Sequence, residues 1–540
     1  MDDPRKAEQP DQPPQTTPVK MEEQREEGLL RSLETGREEQ RTRRDELRAS
    51  MLRSIVTEPL FTAVQAAGTD DNFDVIIALN EFYRDGMAEA LHQVEERAKK
   101  LGVRYATATH YVFACLTAQQ IRDIASEARE LIAMSGPSGS VVYRIWEDPE
   151  IHVSLVHSAT TVKADAAQRA FRADGRNVVW AVLDSGIDGT HPHFKRPDSP
   201  FGPIDSLAIS APLGHVDFTP AQTGATIDGL GHGTHVAGII AGYWASSSGK
   251  PEAVVGSETR DEASNNAVPV LENIDVISGI APRCSLVSLK VIADTTRQDS
   301  VKQTAGQGKV SWVLQAIDQI QQWNQYGRRL LVHGVNMSLG YDFDPRWFGC
   351  GQSPICVEVN RLVKCGVSVV VSAGNAGYSA FVTASGRSEA HYSDLTIGDP
   401  GNAELAITVG STHRDMPHLY GISYFSSRGP TGDGRMKPDL VAPGERIVSC
   451  AAGAEKAKYA GLAVAGGVQP DVLYCEQTGT SMAAPHVSGA IAAFLSVRAE
   501  FIGQPERVKE LVVSNTVDLR RERAFQGAGL LDLMKVLQAV

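Results

Sequence analysis

Three short segments carry residues that could do nucleophilic chemistry together. Leu183-Asp184-Ser185-Gly186-Ile187-Asp188 ends an apolar run on a carboxylate, and Gly231-His232-Gly233-Thr234-His235 sets a histidine at the mouth of a helical stretch. Gly479-Thr480-Ser481-Met482-Ala483-Ala484-Pro485-His486 sets a serine at the start of another. A serine hydroxyl is a weak nucleophile until a histidine takes its proton, and a carboxylate must hold that histidine in one tautomer. Asp184, His232 and Ser481 supply those three types, and glycines beside His232 and Ser481 allow close approach of backbone and substrate. Taken singly, each has an ordinary reading: Asp184 opens a loop, His232 packs at a helix end, Ser481 caps a helix. His232 and His235 have H-x-x-H spacing without the glutamate of the zinc pattern, which argues against a metal site.

Such residues need elements that present them from one edge. Apolar β-type runs at 178–183, 286–291, 331–336 and 367–371 alternate with helical stretches, and Val310, Val313, Leu314, Ile317 and Ile320 mark an amphipathic helix. Near-continuous apolar strands separated by helices imply an α/β fold, a parallel sheet with helices on both faces. Ligand sites in such sheets lie beyond the carboxyl ends of the strands, where Asp184 stands.

Composition bounds the rest. The 540 residues include 52 Lys+Arg against 65 Asp+Glu, a formal charge of −13, and are 42% hydrophobic. That length predicts several domains. The acidic balance argues against nucleic acid as a partner. No apolar run approaches the ~20 residues of a membrane span, so no membrane partner is expected. The first residues lack an apolar h-region. Seven dispersed cysteines without a C-x-x-C pair read as free thiols, with Cys350 and Cys356 the first pair to test otherwise. These features predict a cytoplasmic protein.

Residues 1–60, proline-rich and then dominated by Glu and Arg, read as a disordered or charged-helical segment. Within 61–148, strand candidates at 74–79, 103–105, 111–116 and 141–146 alternate with two helices. Met87, Leu91, Val94 and Ala98 share a face of the first, which Gly102 stops; Thr117 caps the second, which Gly136 breaks. The order βαββαβ is the ferredoxin-like unit.

The chain order Asp184, His232, Ser481 and the residues around them resemble the subtilases, subtilisin-like serine peptidases, over about 162–540. The resemblance implies that Asp184 orients, His232 acts as general base and then acid, and Ser481 attacks a carbonyl. Val371-Ser372-Ala373-Gly374-Asn375-Ala376-Gly377 resembles the family's oxyanion segment, with Gly374 and the Asn375 amide beside the Ser481 N–H. Val335-Asn336-Met337-Ser338-Leu339-Gly340 resembles its substrate-binding strand, so that Ser338, Leu339 and Gly340 would pair with an extended peptide. Protein or peptide substrates follow, with no cofactor required for chemistry. The βαββαβ unit is similar to the family's inhibitory propeptide, an intramolecular partner whose tail the enzyme cuts itself. On that resemblance 149–165 is a linker with processing near Leu155, and 166–540 is the peptidase domain.

Two inserts depart from the family pattern. Residues 243–278 replace a short calcium-binding loop, and Glu252, Glu258, Asp261, Glu262, Glu272 and Asp275 admit either structural calcium or a solvated surface loop. Residues 341–355 lie beside the expected substrate strand and would narrow the cleft or dock a partner. Segment 1–60 admits a regulatory protein partner. The rival reading keeps the fold and loses the chemistry, as a peptide-binding pseudoprotease or scaffold; the intact Asp184, His232, Ser481 and Asn375 argue against it.

Overall fold

A computed structural model describes residues 55–108, 110–147, 157–247, 252–260, 267–296, 304–346, 348–382, 388–459, 462 and 471–540. The chain divides into two compact units, Met1–His152 and Val153–Val540. Residues 149–156 of the expected 149–165 linker, Leu155 included, lie outside the described residues, as do residues 1–54.

In the first unit, helix α1 (Glu58–Ala66) precedes β1 (Asn72–Leu79), α2 (Met87–Leu101), β2 (Tyr105–Ala108), β3 (Tyr111–Thr117), α3 (Ala118–Ser135) and β4 (Val142–Glu147). The sheet order is β2-β3-β1-β4 with every pairing antiparallel, the split βαβ arrangement. Thr117 closes a reciprocal capping box with Gln120, and Gly102 ends α2 at φ +65°. Strand β2 begins at Tyr105 instead of 103 because the Val103 N–H is taken by the Ala98 carbonyl at the end of α2. The ordered unit also starts before residue 61. Ile55 and Thr57 exchange backbone hydrogen bonds with Ile145, and Leu60, Phe61 and Val64 of α1 are buried in the same core as Ile77 and Ile121. Those apolar residues directly follow the charged run that made the segment read as polar.

The second unit is built on seven parallel strands: β5 (Val179–Asp184), β6 (Val216–Asp217), β7 (Ser285–Lys290), β8 (Gly334–Met337), β9 (Ser368–Ser372), β10 (Ile407–His413) and β11 (Leu440–Glu445). Their order is β11-β10-β9-β8-β5-β7-β6. Alternate residues of β5 face two cores. Trp180 and Val182 join helices α4 (His232–Ile240) and α7 (Thr480–Val497), whereas Ala181 and Leu183 join α5 (Val310–Trp323) and α6 (Pro354–Lys364). Helices therefore cover both faces, and each fully buried aliphatic side chain contributes roughly 1.5–3 kcal/mol. Strand β8 starts three residues later than its apolar run, because the Leu331 and Val332 N–H groups both donate to Asn324 Oδ1 at 2.9 Å. Helix α7 is long and apolar enough to cross a membrane by composition, yet most of it is buried within this unit.

The insert at 243–278 is not a plain surface loop. Tyr243–Ala245 pairs with Val276–Ser278, and Ala253–Arg260 forms an antiparallel hairpin with Ala267–Ile274. Val254–Gly256 then joins Val472–Gln477 in parallel. Polar residues at Ser257–Arg260 of the first strand and at Glu272 and Asn273 of the second hid this pattern from a search for apolar runs.

Candidate active site

The end of β5 delivers Asp184 into a nearly closed environment, 1% exposed. Its Oδ1 accepts the Ser185 N–H at 2.8 Å and lies 2.8 Å from His232 Nδ1. With Nδ1–H donating to the carboxylate, Nε2 is the ring's free acceptor. Helix α4 can approach this closely because Gly231 caps it at φ +96°, and because Gly233 has no Cβ; one there would lie 2.2 Å from the Gly186 carbonyl oxygen.

Asp228, which no motif singled out, ties the two elements together. Its Oδ1 accepts from Ser185 Oγ at 2.9 Å and from the Gly231 N–H at 2.8 Å. Its Oδ2 accepts from the Thr234 N–H at 2.9 Å and the Thr234 hydroxyl at 2.6 Å. Ser185 Oγ in turn receives the Gly233 N–H at 2.9 Å. Burial pushes the Asp228 carboxyl up, against the pull of those four donors. For His232, burial disfavours the charged ring, but the charge and hydrogen bond of Asp184 outweigh it, with help from Asp228, and the pKa is raised.

Ser481 sits in the first turn of α7, where an amide N–H has no intrahelical partner and the helix dipole favours negative charge. Its hydroxyl donates to the Ser338 carbonyl at 3.2 Å instead of meeting His232. The neighbouring carbonyl of Ser481 accepts from Ser338 Oγ at 2.7 Å. Ser338 Oγ receives Asn336 Nδ2 at 2.9 Å, and Asn336 Oδ1 accepts from Ser488 Oγ at 2.8 Å, so the end of β8 is strapped to α7.

Asn375 is aimed by its oxygen. Oδ1 accepts the Thr480 N–H at 3.0 Å and the Thr480 hydroxyl at 2.9 Å, which turns Nδ2 outward to donate. Gly374, at φ +103°, donates its N–H to Thr480 Oγ1 at 3.2 Å. Leu339 packs against the core under α5 and α6, and Gly340 is exposed beside Asp399; a Cβ on Gly340 would lie 2.8 Å from the Asp399 carbonyl oxygen. Thus Asp184 meets His232, Ser481 meets Ser338, and Asn375 meets Thr480, all beyond the carboxyl ends of β5, β8 and β9. Ser185 and Thr480 stood inside quoted motifs without a role. Asp228, Asn336 and Ser488 act by long-range hydrogen bonds that leave no local signal.

The remaining candidates separate from this cluster. His235 donates from Nε2 to the Ile447 and Cys475 carbonyls, and burial pushes it down to about 3; His486 donates from Nδ1 to Met482 and is pushed down to about 4. Among the described residues, no group of three or more His, Cys, Asp or Glu could hold a metal ion. Glu258 pairs with Pro269 and Glu272 with Val255, so these two carboxylates point to opposite faces of the hairpin. Asp261 and Glu262 lie outside the described residues. Among the described residues, the carboxylates of this insert do not gather into a group of three. All seven cysteines, Cys350 and Cys356 included, are free.

The family model of the Subtilase family matches residues 175–530. The chain belongs to the subtilase family. Subtilisin E of Bacillus subtilis (strain 168) is 27% identical over 364 residues, covering 67% of this chain and 66% of the relative. The alignment thus spans just under two thirds of that relative's length. The major intracellular serine protease of the same organism is 28% identical over 366 residues, 66% of this subtilase and 82% of the relative. Serine protease AprX, again from that organism, is 28% identical over 345 residues, 63% and 62% of the two chains. The matched region contains Asp184, His232, Asn375 and Ser481. The first unit lies outside it.

Proposed function

We infer that this subtilase is a serine endopeptidase, made as a zymogen that removes its own N-terminal domain. The observation that carries the reading is the Asp184–His232 contact at 2.8 Å, with Nε2 left as the ring's acceptor. In the proposed reaction the Ser481 hydroxyl leaves the Ser338 carbonyl and turns toward His232; contacts of this kind are often incomplete before substrate binds. His232 takes the proton as the oxygen attacks the peptide carbonyl. Asn375 Nδ2 and the Ser481 N–H hold the oxyanion, and His232 then protonates the leaving amine. Water, activated by the same ring, hydrolyses the acyl-enzyme. Ser338, Leu339 and Gly340 supply backbone for an extended substrate. These residues provide every group the reaction uses, so no cofactor enters it.

The βαββαβ topology of the first unit supports an inhibitory role for 61–148. So does one face of its sheet: Ile76 stands opposite Phe113 and Trp146 on the side away from the helices, an apolar surface suited to docking. Cleavage near Leu155 would release it. A regulatory partner for residues 1–60 belongs to the same proposal. Free cysteines support a cytoplasmic site of action.

One feature favours the rival scaffold reading, the Ser481 hydroxyl donating to Ser338. Labelling with a serine-reactive phosphonate, with N-terminal sequencing of wild type beside Ser481→Ala, decides between them. The peptidase reading expects Ser481 to be labelled and only the wild type to acquire a new N-terminus near residue 156. An unlabelled wild type that stays uncut under all conditions overturns it.

A further inference from the structure

Strands β5 and β7 begin side by side, with Ser285 paired to Val179, at the end of the sheet opposite Asp184. A second group of charges gathers at these amino ends. Asp174, 2% exposed, accepts at Oδ1 from the Arg176 N–H at 3.1 Å and from Arg176 Nε at 3.0 Å. Its Oδ2 accepts from Arg176 Nη2 at 2.6 Å, and its carbonyl accepts the Arg283 N–H at 2.7 Å. A carboxylate buried this deeply needs such donors, and Arg176 is committed to supplying them.

Arg283 is not committed in this way. Its Nη1 lies 3.9 Å from Asp174 Oδ2, close enough for charge attraction but beyond hydrogen-bond reach. Among the described residues, the guanidinium donors of Arg283 have no hydrogen-bond acceptor. Ser206 adds a second unspent group. Its N–H donates to the Phe194 carbonyl at 2.8 Å and its carbonyl accepts the Leu286 N–H at 2.6 Å, which fixes the backbone beside β7. The Ser206 hydroxyl is nevertheless buried with no partner among the described residues. A buried hydroxyl left unpaired is destabilising, and in native proteins such a group calls for a partner.

Both residues line one cavity of about 210 Å³, whose walls also include Arg176, Asn177, Asp205 and Ser285. That volume is below the roughly 300–1,000 Å³ of drug-sized ligand pockets, and it has room for several waters or one small ion. The acid in the wall, Asp205, is paired with Lys195 at 3.3 Å, as Asp174 is with Arg176. The charge left over is therefore that of Arg283. A cation entering here would meet that charge, whereas an anion would find a planar fork of N–H donors and a hydroxyl. Such a fork matches the oxygens of a carboxylate or a phosphate.

We propose that Arg283 and Ser206 form a binding site for a small oxyanion, a phosphate or a carboxylate, at the amino ends of β5 and β7. The site is separate from the Asp184–His232 pair, which lies at the other end of the same strand β5, and does not depend on the peptidase reading.

The test titrates inorganic phosphate, and acetate in a parallel arm, into the full chain carrying Ser481→Ala to keep it uncut. Binding is read by calorimetry against sodium chloride of equal ionic strength. Saturable phosphate binding supports the site with a phosphate-type ligand, and saturable acetate binding alone supports it with a carboxylate. Adding Arg283→Gln should weaken that binding by about 10- to 100-fold, and adding Ser206→Ala by about 3- to 10-fold. Thermal unfolding without ligand checks that each variant folds. Should Arg283→Gln fail to fold, Arg283→Lys takes its place, since it keeps the charge and loses the fork. Absence of saturable binding for both anions, or binding that the Arg283 substitution leaves unchanged, overturns the proposal.

Discussion

Of the two halves of the site, the one built from Asp184, His232 and Asp228 is charged and buried, whereas Ser481, Asn375, Ser338 and Thr480 are joined by hydrogen bonds among neutral groups. In the first half, position and protonation are coupled: the carboxylate that fixes the His232 tautomer also raises its pKa. In the second, geometry is set without any group whose charge changes near neutral pH. The acid–base and oxyanion roles proposed for the two halves can therefore be damaged separately, and pH is the variable that tells them apart.

Ser481→Ala tests whether both halves serve one nucleophile. It should lower kcat by about 10⁶-fold, a magnitude that belongs to subtilisin, and abolish self-cleavage in N-terminal sequencing. Asp184→Asn should cost about 10⁴-fold, again a figure from related triads, and also move the pH profile. The proposed mechanism needs neutral His232, so wild-type kcat/KM should rise with pH through a limb above the ordinary imidazole value of about 6.5, and the variant's limb should shift to lower pH. The matching contribution to stability is complete below the unfolded pKa and is lost as pH climbs through the raised folded value. Denaturant unfolding followed against pH would read it.

The neutral half should respond differently. Asn375→Ala is expected to lower kcat by about 10²–10³-fold, the size of the effect in subtilisin, with KM and the pH limb nearly unmoved. Thr480→Val removes one hydroxyl donor to Asn375 Oδ1 and keeps the backbone donor, so a loss of about 2- to 10-fold is expected. A pH shift in either variant would break the division between the halves.

Much of this was legible because its signals are local. Thr117 and Gly102 bounded their helices as expected, and β5, β7 and β9 fall within a residue of their apolar runs. Strand β10, Ile407–His413, mixes Thr, Gly and Ser with its apolar residues and did not read as a continuous run. The hairpin at 253–274 was hidden by the same mixing, and α1 by the charged stretch before it.

By itself, the sequence determined that a parallel sheet would form and nominated the candidate residues beside it, since motifs, strand runs and caps are written in neighbouring positions. The tertiary structure alone decided what each functional group faces. Ser481 finds the Ser338 carbonyl across 143 positions, Thr480 finds Asn375 across 105, and Asp228 clamps Ser185 across 43. Hydrogen bonds of a few ångströms between residues that far apart exist only once packing has placed their strands and helices. No local pattern encodes them.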